Sequence, residues 1–361
     1  MSVKAVVALS GGVDSSVAAY LLREQGYEVE ALFMKNWDEP TDSGACLWEA
    51  DVEDAMRACE RLDIPLNTVD LSGEYWRGVF ENFLSEYRCG RTPNPDVLCN
   101  QEIKFKAFLD HALRLGADVM ATGHYARIQA EGGTRSLLKG SDRNKDQSYF
   151  LCRLNQAQLH RAVFPVGAMK KPDVRALAAR AGLGTHAKKD STGICFIGER
   201  PFREFLSRYL AAQPGEIRTT EGRIVGEHEG VHLYTVGQRH GLKIGGVTGR
   251  GEAPWYVVDK DLKQNVLVVV QGSDHPLLYS RGLKATNPHW IEGRPPSKPM
   301  RLAAKIRYRQ ADQDCSVDLD DGPVLRLSFR HPQRAVAPGQ YVVFYDGEVC
   351  LGSAVIESTL H

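Results

Sequence analysis

No run of apolar residues in this 361-residue chain approaches the length of a membrane-spanning helix. The first residues show no signal-peptide or transit-peptide pattern, which favours a cytoplasmic protein without a membrane partner. The chain also has no excess of charge, since 45 Lys and Arg balance 45 Asp and Glu. With 43% hydrophobic residues, the composition predicts a soluble globular protein with two or three hydrophobic cores.

The sequence has no pair of cysteines with C-x-x-C spacing, which argues against a zinc ribbon and against a thioredoxin-type motif. In the cytoplasm most of its eight cysteines should be reduced, buried thiols. Any cysteine chemistry then depends on individual residues in special surroundings. The eight are Cys46, Cys59, Cys89, Cys99, Cys152, Cys195, Cys315 and Cys350.

The balanced charge is unevenly distributed along the chain. Residues 1–138 carry 13 Lys and Arg against 22 Asp and Glu, whereas residues 139–208 carry 14 against 6. The net charge is therefore −9 in the first segment and +8 in the second, and it is −1 over 209–280 and +2 over 281–361. A basic segment of this kind is typical of a polyanion-binding surface, and equally of a solvated basic face.

The loop Ser10–Ser16, with the sequence S-G-G-V-D-S-S, is the most informative stretch of the chain. It follows an apolar run, Val3–Leu9, that predicts a buried strand, and it leads into Asp14–Gln25, which predicts a helix ending at Gly26. The glycines permit positive φ and leave no Cβ in the way, and the free N–H groups of a helix start favour an anion. The loop lacks the Walker A lysine and the G-x-G-x-x-G spacing of a Rossmann turn.

Strands and helices alternate through the first half of the sequence. The further predicted strands are Glu28–Met34, Leu66–Asp70 and Asp118–Thr122, and the further predicted helices are Trp48–Leu62, Glu74–Tyr87, Glu102–Leu115, Lys171–Gly182 and Pro201–Ala212. This alternation predicts an α/β fold with a parallel sheet covered by helices on both faces. Ligands of such sheets bind at the carboxyl ends of the strands, where Ser10 and Met34 fall.

After Pro214 the chain changes to glycines, turn residues and short β-rich runs. The last segment predicts an antiparallel barrel of short strands, among them Ala303–Arg307, Val324–Phe329, Tyr341–Tyr345 and Val349–Ile356. We therefore predict three domains: a catalytic domain over 1–212 that contains the basic segment, a small β-rich domain over 213–278 and a C-terminal β-barrel over 279–361.

Three further motifs accompany the loop. They are R-T-P-N-P-D-V-L-C-N-Q-E-I-K-F at 91–105, A-T-G-H-Y-A-R at 121–127 with K-D-Q-S-Y-F at 145–150, and D-S-T-G-I-C-F-I-G at 190–198. The loop itself resembles the PP-loop of the ATP pyrophosphatase superfamily, whose members split ATP between the α- and β-phosphates and adenylate a substrate. With the three motifs, the chain resembles the bacterial tRNA-specific 2-thiouridylases over essentially its whole length. The resemblance implies an adenine nucleotide α-hydrolase-like catalytic domain and replacement of the C2 oxygen of the wobble uridine by sulfur.

The resemblance also implies the nucleotide site. ATP would contact the loop and the two residues before it, and Met34 and Gly123 would border the adenine. The positions in and before the loop are Ala8, Leu9, Ser10, Gly11, Gly12, Val13, Asp14, Ser15 and Ser16. Mg²⁺ would balance the phosphate charge, and we expect the Asp14 carboxylate to hold it near the phosphates. No other metal site is predicted.

Two cysteines have roles by the same resemblance. Cys195, in G-I-C-F-I-G, would carry the sulfur as a persulfide, and Cys99, in P-D-V-L-C-N, would be its nucleophilic partner. We expect Cys99 to lie in a loop just before the helix at Glu102, where the helix dipole would favour the thiolate. Asp96 would act as an acid or base, or bind the uracil imide.

The tRNA contacts are likewise expected by resemblance. Asn94, Pro95 and Asp96 would contact the target base, which must leave the anticodon stack. Other tRNA contacts would come from Lys145, Asp146, Gln147, Arg307, Tyr308 and Gln340. Two alternatives stay open here: Arg307 and Tyr308 also fit a strand with one polar face, and His124 fits either a base contact or a hydrogen-bonded loop histidine.

Two other functions use the same loop. The first alternative is a different PP-loop adenylating enzyme, which would act on another tRNA base or on a small-molecule amide or carbonyl. The second is a non-catalytic RNA-binding module. The pair Cys99 and Cys195 argues against the first, and the intact loop argues against the second. Family membership would imply a cysteine desulfurase or sulfur-relay protein as partner, and tRNAs for Lys, Glu and Gln as substrates.

Overall fold

The computed structural model describes residues 2–38, 46–190, 202–245, 253–297, 300–319 and 324–360. Its first part is built on a five-stranded parallel sheet with the strand order β3-β2-β1-β4-β7. These strands are β1 Lys4–Ala8, β2 Glu28–Lys35, β3 Leu66–Asp70, β4 Val119–Ala121 and β7 Ala162–Val163. The four predicted strands are confirmed, and the two-residue edge strand β7 is an addition.

The alternation of side chains along the strands divides this domain into two cores. On β2, Leu32 and Met34 face one core, whereas Ala31 and Phe33 face the other. The second core also takes up Val17 from the helix α1, Val13–Glu24, which directly follows the loop. The first core contains Cys99.

The remaining helices of the chain are distributed between the strands and after them. They are α2 Leu47–Leu62, a segment over 72–88 (Ser72–Tyr75, π-helical Trp76–Phe80, Glu81–Arg88), a segment over 95–114 (Pro95–Leu98, π-helical Cys99–Phe108, Leu109–Arg114), Gln156–Arg161, Lys171–Arg180 and Phe202–Ser207. Short 3₁₀ turns occur at Ser148–Leu151, Gly184–Ala187, Val231–Leu233 and Pro276–Leu278. Among the described residues, no helix is both long and apolar enough to cross a membrane.

Two helix boundaries differ from the prediction, and the simpler one is the helix expected to end at Ala212, which ends at Ser207. The helix expected to start at Glu102 begins at Pro95 instead, with Asn94 as its N-cap residue. The Asn94 side chain accepts a hydrogen bond from the Val97 N–H at 3.4 Å. Proline suits the first helical position because its missing N–H would be unpaired there in any case.

The central and C-terminal parts are β-rich, as predicted. The central sheet has the order β10-β11-β8-β9, formed by β8 Gly215–Thr219, β9 Ile224–His228, β10 Trp255–Asp261 and β11 Val266–Gln271. Six antiparallel strands then close into a barrel, because β12 pairs with both β15 and β17. They are β12 Tyr279–Trp290, β13 Met300–Lys305, β14 Gln313–Leu319, β15 Val324–Arg334, β16 Tyr341–Asp346 and β17 Val349–Leu360.

A β-hairpin from the N-terminal half of the chain extends the sheet of the C-terminal barrel. Its strands are β5 Ala126–Glu131 and β6 Thr134–Lys139, and β6 pairs with β17 through Leu138 opposite Val349. The buried Lys139 Nζ continues this junction, since it donates to the Asp312 carboxylate at 2.5 Å and to the Gly347 carbonyl at 2.7 Å. The catalytic domain and the barrel are therefore joined by a shared sheet.

Candidate active site

The loop after β1 has the geometry of a phosphate site. Gly11 adopts a φ of +70°, and an added Cβ there would overlap the Asp51 carbonyl of α2. Ser10 and Ser15 join across the loop through hydroxyl groups 3.2 Å apart. The Ser16 hydroxyl donates to the Gly12 carbonyl at 2.9 Å, which closes the first turn of α1. The loop is thus held in shape by its own side chains, and the N-terminus of α1 follows it directly.

Gly123 lies directly against this loop. A Cβ at Gly123 would be 2.7 Å from the Asp14 carbonyl carbon and from the Ser15 nitrogen. Because β4 is the neighbour of β1, its carboxyl end meets the loop at the same edge of the sheet. Met34, near the end of β2, is buried in the core on the Cys99 side. The nucleotide-site residues expected from the sequence therefore lie at one sheet edge.

The Asp14 carboxylate is already paired inside the protein. Lys171 Nζ donates to both of its oxygens at 2.8 Å, and the Tyr125 hydroxyl donates to Oδ1 at 2.7 Å. Lys171 begins the helix Lys171–Arg180 and its side chain is 10% exposed. A cation thus lies beside the loop, supplied by a distant helix, although the loop has no lysine of its own.

Asp190 lies on the other side of this lysine. It forms ion pairs with Lys171 at 2.8 Å, with Arg175 at 2.6 Å and with Lys145 at 2.6 Å. Burial alone would raise the pKa of the Asp190 carboxyl, but the hydrogen bonds from Lys145 and Lys171 outweigh burial and hold this pKa well below its usual range. Asp190 is therefore a carboxylate at neutral pH, and three cations face two anions around the loop.

Lys188 fixes the outer side of the loop. Its ammonium group donates to the Gly11 carbonyl at 3.1 Å, to Asp51 at 2.8 Å and to Asp54 at 2.6 Å. Several cations of the basic segment, Lys145 and Lys188 among them, therefore pair with carboxylates of this chain. A variant that reverses the charge of both would disturb the loop as well as any RNA contact.

The arrangement suits a nucleotide phosphate better than a metal held by the protein alone. The described residues contain no group of three or more His, Cys, Asp or Glu side chains placed to hold a metal ion. Asp14, which we expected to hold Mg²⁺, instead binds Lys171 through both oxygens. The Asp14 carboxylate would therefore have to leave Lys171 before it could hold Mg²⁺.

The segment before Cys99 is the meeting point of all three predicted domains. Gln340, from the barrel, donates to the carbonyls of Thr92 at 2.8 Å and Pro93 at 3.1 Å. The Asn94 amide reaches the Gln340 side chain at 3.5 Å. Thr92 also lies 3.2 Å, hydroxyl to hydroxyl, from Thr235 of the central part. Two predicted tRNA contacts that are far apart in sequence, Asn94 and Gln340, are thus neighbours.

Cys99 lies inside the helix that starts at Pro95, not in a loop before a helix. Its backbone N–H donates to the Pro95 carbonyl, and its side chain is fully buried in the core that contains Met34. The dipole effect falls off within the first helical turn, so the reason that we gave for a thiolate at Cys99 is wrong. Asp96, in the first turn, is partly exposed. Cys195 lies outside the described residues.

His124 is a buried, hydrogen-bonded histidine. Its Nδ1 lies 2.7 Å from the Thr122 hydroxyl, and its ring packs between Phe105 and Phe164, each 6.0 Å away between centroids. Burial, assisted by the charge of Lys104, lowers the pKa of His124 well below its usual value. The imidazole is therefore neutral at physiological pH.

Asp146 and Gln147 bind the protein's own backbone. The Asp146 carboxylate is buried and accepts from the N–H groups of Gly140 at 3.0 Å and Ser148 at 3.1 Å. The Gln147 side chain accepts from the Tyr125 N–H at 2.9 Å. Both residues shape the turn, whereas a tRNA contact from either stays a prediction.

On the barrel, Arg307 and Tyr308 lie close to the catalytic domain. Tyr308 packs on Phe150 with ring centroids 4.4 Å apart. Arg307 is exposed and donates to the Arg334 carbonyl at 2.6 Å, and it forms no ion pair with a carboxylate of the described residues.

Comparison with known proteins covers nearly the whole chain. Three family models match in succession: a tRNA methyl transferase HUP domain at residues 3–199, a tRNA methyl transferase PRC-barrel domain at 203–271 and an aminomethyltransferase β-barrel domain at 280–356.

Relatives resemble this chain over nearly its whole length, and a solved structure resembles part of it. The tRNA-specific 2-thiouridylase MnmA of Pseudomonas paraeruginosa is 58% identical over 98% of this chain and 94% of its own, and that of Methylococcus capsulatus is 58% identical over 99% and 96%. A solved structure, the U34-tRNA thiolase NcsA from Methanococcus maripaludis with its [4Fe-4S] cluster, is 19% identical over 57% of this chain and 63% of its own, with a TM-score of 0.37. Because the first model spans more than half of the chain and these relatives align almost end to end, the protein belongs to the family of tRNA-specific 2-thiouridylases.

Proposed function

We propose that this protein uses ATP to replace the C2 oxygen of the wobble uridine of tRNA by sulfur. The observation that carries the proposal is the loop after β1. It has no Walker lysine, but the N-terminus of α1 and the Lys171 ammonium group both lie beside it. Its 2-thiouridylase relatives support the choice of tRNA as the substrate.

The first step is adenylation of the uridine. The uracil O2 attacks the α-phosphorus of ATP, and pyrophosphate leaves with the bonding electron pair. The amides at the start of α1 and the Lys171 ammonium group stabilise the negative charge of the departing pyrophosphate. Magnesium would neutralise phosphate charge, and the Asp14 carboxylate would hold it once the Lys171 ammonium group had turned to the phosphate.

The second step exchanges AMP for sulfur. The terminal sulfur of a persulfide on Cys195 attacks C2, and AMP leaves with the former uracil oxygen. The Cys99 thiolate then attacks the Cys195 sulfur, which releases 2-thiouridine and leaves a disulfide between the two cysteines. A cysteine desulfurase, directly or through a relay protein, supplies the persulfide, and a cellular reductant restores the thiols.

The tRNA would lie across the junction of the catalytic domain and the barrel. Asn94 and Asp96 are at one side of this junction, with Arg307 and Tyr308 on the barrel side. Arg307 would bind a backbone phosphate, and the partly exposed Tyr308 ring would stack on a base. The tRNAs for Lys, Glu and Gln are the proposed substrates, and the cytoplasm is the proposed location.

A single-turnover experiment tests the proposal. The protein is incubated with a tRNA transcript, ATP, a cysteine desulfurase and cysteine, and nucleotides and digested nucleosides are identified by mass spectrometry. We expect AMP, pyrophosphate and 2-thiouridine. ADP with phosphate in place of AMP with pyrophosphate would contradict the assignment.

Cysteine variants separate the two steps. Cys195→Ser should still release pyrophosphate and form the adenylated uridine, but no persulfide and no 2-thiouridine, and Cys99→Ser should carry a persulfide without completing the transfer. The matched control is Cys89→Ser, because Cys89 is an exposed cysteine at the end of the neighbouring helix. Thiolation by Cys195→Ser would refute the mechanism.

A further inference from the structure

Tyr125 is a buried tyrosine whose hydroxyl group reaches the phosphate loop. The residue is 2% exposed and packs in the core that contains Val17 of α1. Its hydroxyl group donates to Oδ1 of Asp14 at 2.7 Å. A phenylalanine ring would fill the same core without a polar group to satisfy, so the hydroxyl group is the part of this side chain that packing does not explain.

The position of the Tyr125 hydroxyl group is fixed by its own backbone and ring. The Tyr125 N–H donates to the Gln147 side chain at 2.9 Å, and the Tyr125 carbonyl accepts from the Gln147 N–H at 2.8 Å. Lys171 is different, since its ammonium group lies at the end of a flexible four-carbon side chain. Of the two donors to Asp14, the tyrosine is therefore the one that stays and the lysine is the one that can move.

The Tyr125 hydroxyl group acts on Asp14 as a donor. Burial, and after it the negative charge of Asp14, raises the pKa of Tyr125, so that the phenol keeps its proton at neutral pH. When Lys171 turns to a phosphate, Asp14 loses the ammonium group from both oxygens and keeps the hydrogen bond from Tyr125. A partly buried carboxylate that keeps a donor is less costly than one that loses every partner.

The second carboxylate on Lys171 also has donors that stay. Asp190 pairs with Lys145 and with Arg175, each at 2.6 Å, in addition to Lys171 at 2.8 Å. The departure of Lys171 therefore leaves Asp190 paired. For the carboxylate of the loop, the same part falls to the Tyr125 hydroxyl group.

We propose that Tyr125 is a positioning residue of adenylation, whose hydroxyl group holds the Asp14 carboxylate while Lys171 leaves it for the phosphates of ATP. The tyrosine lowers the free energy needed to release Lys171 and does not itself touch the nucleotide. The inference rests on the proposed use of ATP by this site. It gives a function to a residue that the motif A-T-G-H-Y-A-R contains and to which the sequence assigns none.

A double-mutant cycle tests this role. Tyr125→Phe, Lys171→Met and the double variant are compared with the unaltered full chain by thermal melts and by kcat/KM for ATP, measured as pyrophosphate release with tRNA. Tyr125→Phe should melt cooperatively and lower kcat/KM about tenfold, the effect of one hydrogen bond to a charged group. In the Lys171→Met protein the same change should lower kcat/KM by no more than about twofold, because no ammonium group has to be released there.

The matched control is Tyr27→Phe. Tyr27 packs against the same core, but it lies just before β2, at the opposite edge of the sheet from the phosphate loop. This variant should keep the kcat/KM of the unaltered protein, because its hydroxyl group is remote from Asp14 and Lys171.

The outcomes separate this inference from the proposed function. If the unaltered protein releases no pyrophosphate, the proposed function itself fails. If it releases pyrophosphate and Tyr125→Phe is equally fast, the role of Tyr125 is overturned. An equal loss from Tyr125→Phe in both backgrounds would also overturn it, since additivity is expected of a tyrosine that only supports the fold. Loss of the folded state in Tyr125→Phe would show a structural role and would overturn it as well.

Discussion

Replacing Lys171 by methionine should slow adenylation strongly while leaving the protein folded. The ammonium group lies 2.8 Å from the Asp14 carboxylate and 2.8 Å from that of Asp190, and its own side chain is 10% exposed. Methionine keeps an unbranched side chain of nearly the same length, without the terminal nitrogen, and so removes the charge. Both carboxylates are 30% exposed, so water compensates in part, and we expect a loss of about 1–2 kcal/mol in the free energy of unfolding.

The effect on catalysis should be larger than the effect on stability. A unit charge at about 4 Å from a phosphate contributes about 4 kcal/mol at an effective dielectric constant of about 20. Part of this is offset because Lys171 must leave Asp14 and Asp190 when it turns to the phosphate. A net loss of about 2.7 kcal/mol corresponds to a decrease of about 100-fold in kcat/KM for ATP.

The assay is release of pyrophosphate in the presence of tRNA and saturating Mg²⁺, together with a thermal melt of each variant. Lys170→Met is the matched control, because Lys170 precedes the same helix with an exposed side chain. Lys171→Arg should recover part of the rate, since it restores the charge with a different shape. An unchanged kcat/KM in Lys171→Met, or an equal loss in Lys170→Met, would refute the role of this lysine.

Three further predictions concern the loop, the central domain and the domain junction. Gly11→Ala should abolish ATP binding in equilibrium titrations, since its Cβ overlaps a neighbouring carbonyl, whereas Gly26→Ala, at a φ of +82° with free space around it, should bind ATP normally. Burial lowers the pKa values of His228 and His232 in the folded protein. Because these histidines take up protons near pH 6.5 in the unfolded chain but not in the folded one, the melting temperature should fall as the pH drops from about 7.5 to about 5.5. A constant melting temperature would contradict this. Gln340→Leu should raise the KM for tRNA in steady-state assays without changing ATP affinity, because it removes two hydrogen bonds to the segment before Asn94; an unchanged KM would place Gln340 outside the tRNA site.

The phosphate loop could be predicted from the sequence because its signals are local. A β-branched run, two glycines and a helical pattern follow one another between residues 3 and 25, and β1 and α1 match these limits closely. Gly123 was expected from the family resemblance, and it lies beside the loop because β4 is the neighbour of β1. Short-range patterns were sufficient for the loop alone.

Lys171 could not be predicted in the same way. The sequence around it indicates a helix start, because a proline follows at the first turn, and the helix is observed there. No pattern in the sequence indicates which side chain of that helix contacts Asp14, which is 157 residues away along the chain. The basic segment was visible in the sequence as a net charge, but the pairing of Lys145 and Lys188 with carboxylates depends on the tertiary fold.

The missed start of the Cys99 helix has a local explanation. Two prolines at 93 and 95 suggested a loop, and the helix was therefore begun at Glu102. Asn94 followed by Pro95 is nevertheless a standard helix start, an N-cap residue with proline at the first helical position. Attention to this pair would have placed Cys99 inside the helix from the sequence alone.

The burial of Cys99 helps to decide which of the two cysteines, Cys99 or Cys195, receives the sulfur from the donor. A persulfide comes from a macromolecular donor, so the cysteine that is loaded must be reachable from outside the protein. Cys99 is fully buried in the core beneath the sheet edge, and a protein donor has no access to it in this state. Of the two cysteines, Cys195 is therefore the one on which we expect the sulfur adduct after incubation with a desulfurase without ATP or tRNA. Peptide mapping that found the adduct on Cys99 would show that the helix at Pro95 opens during loading.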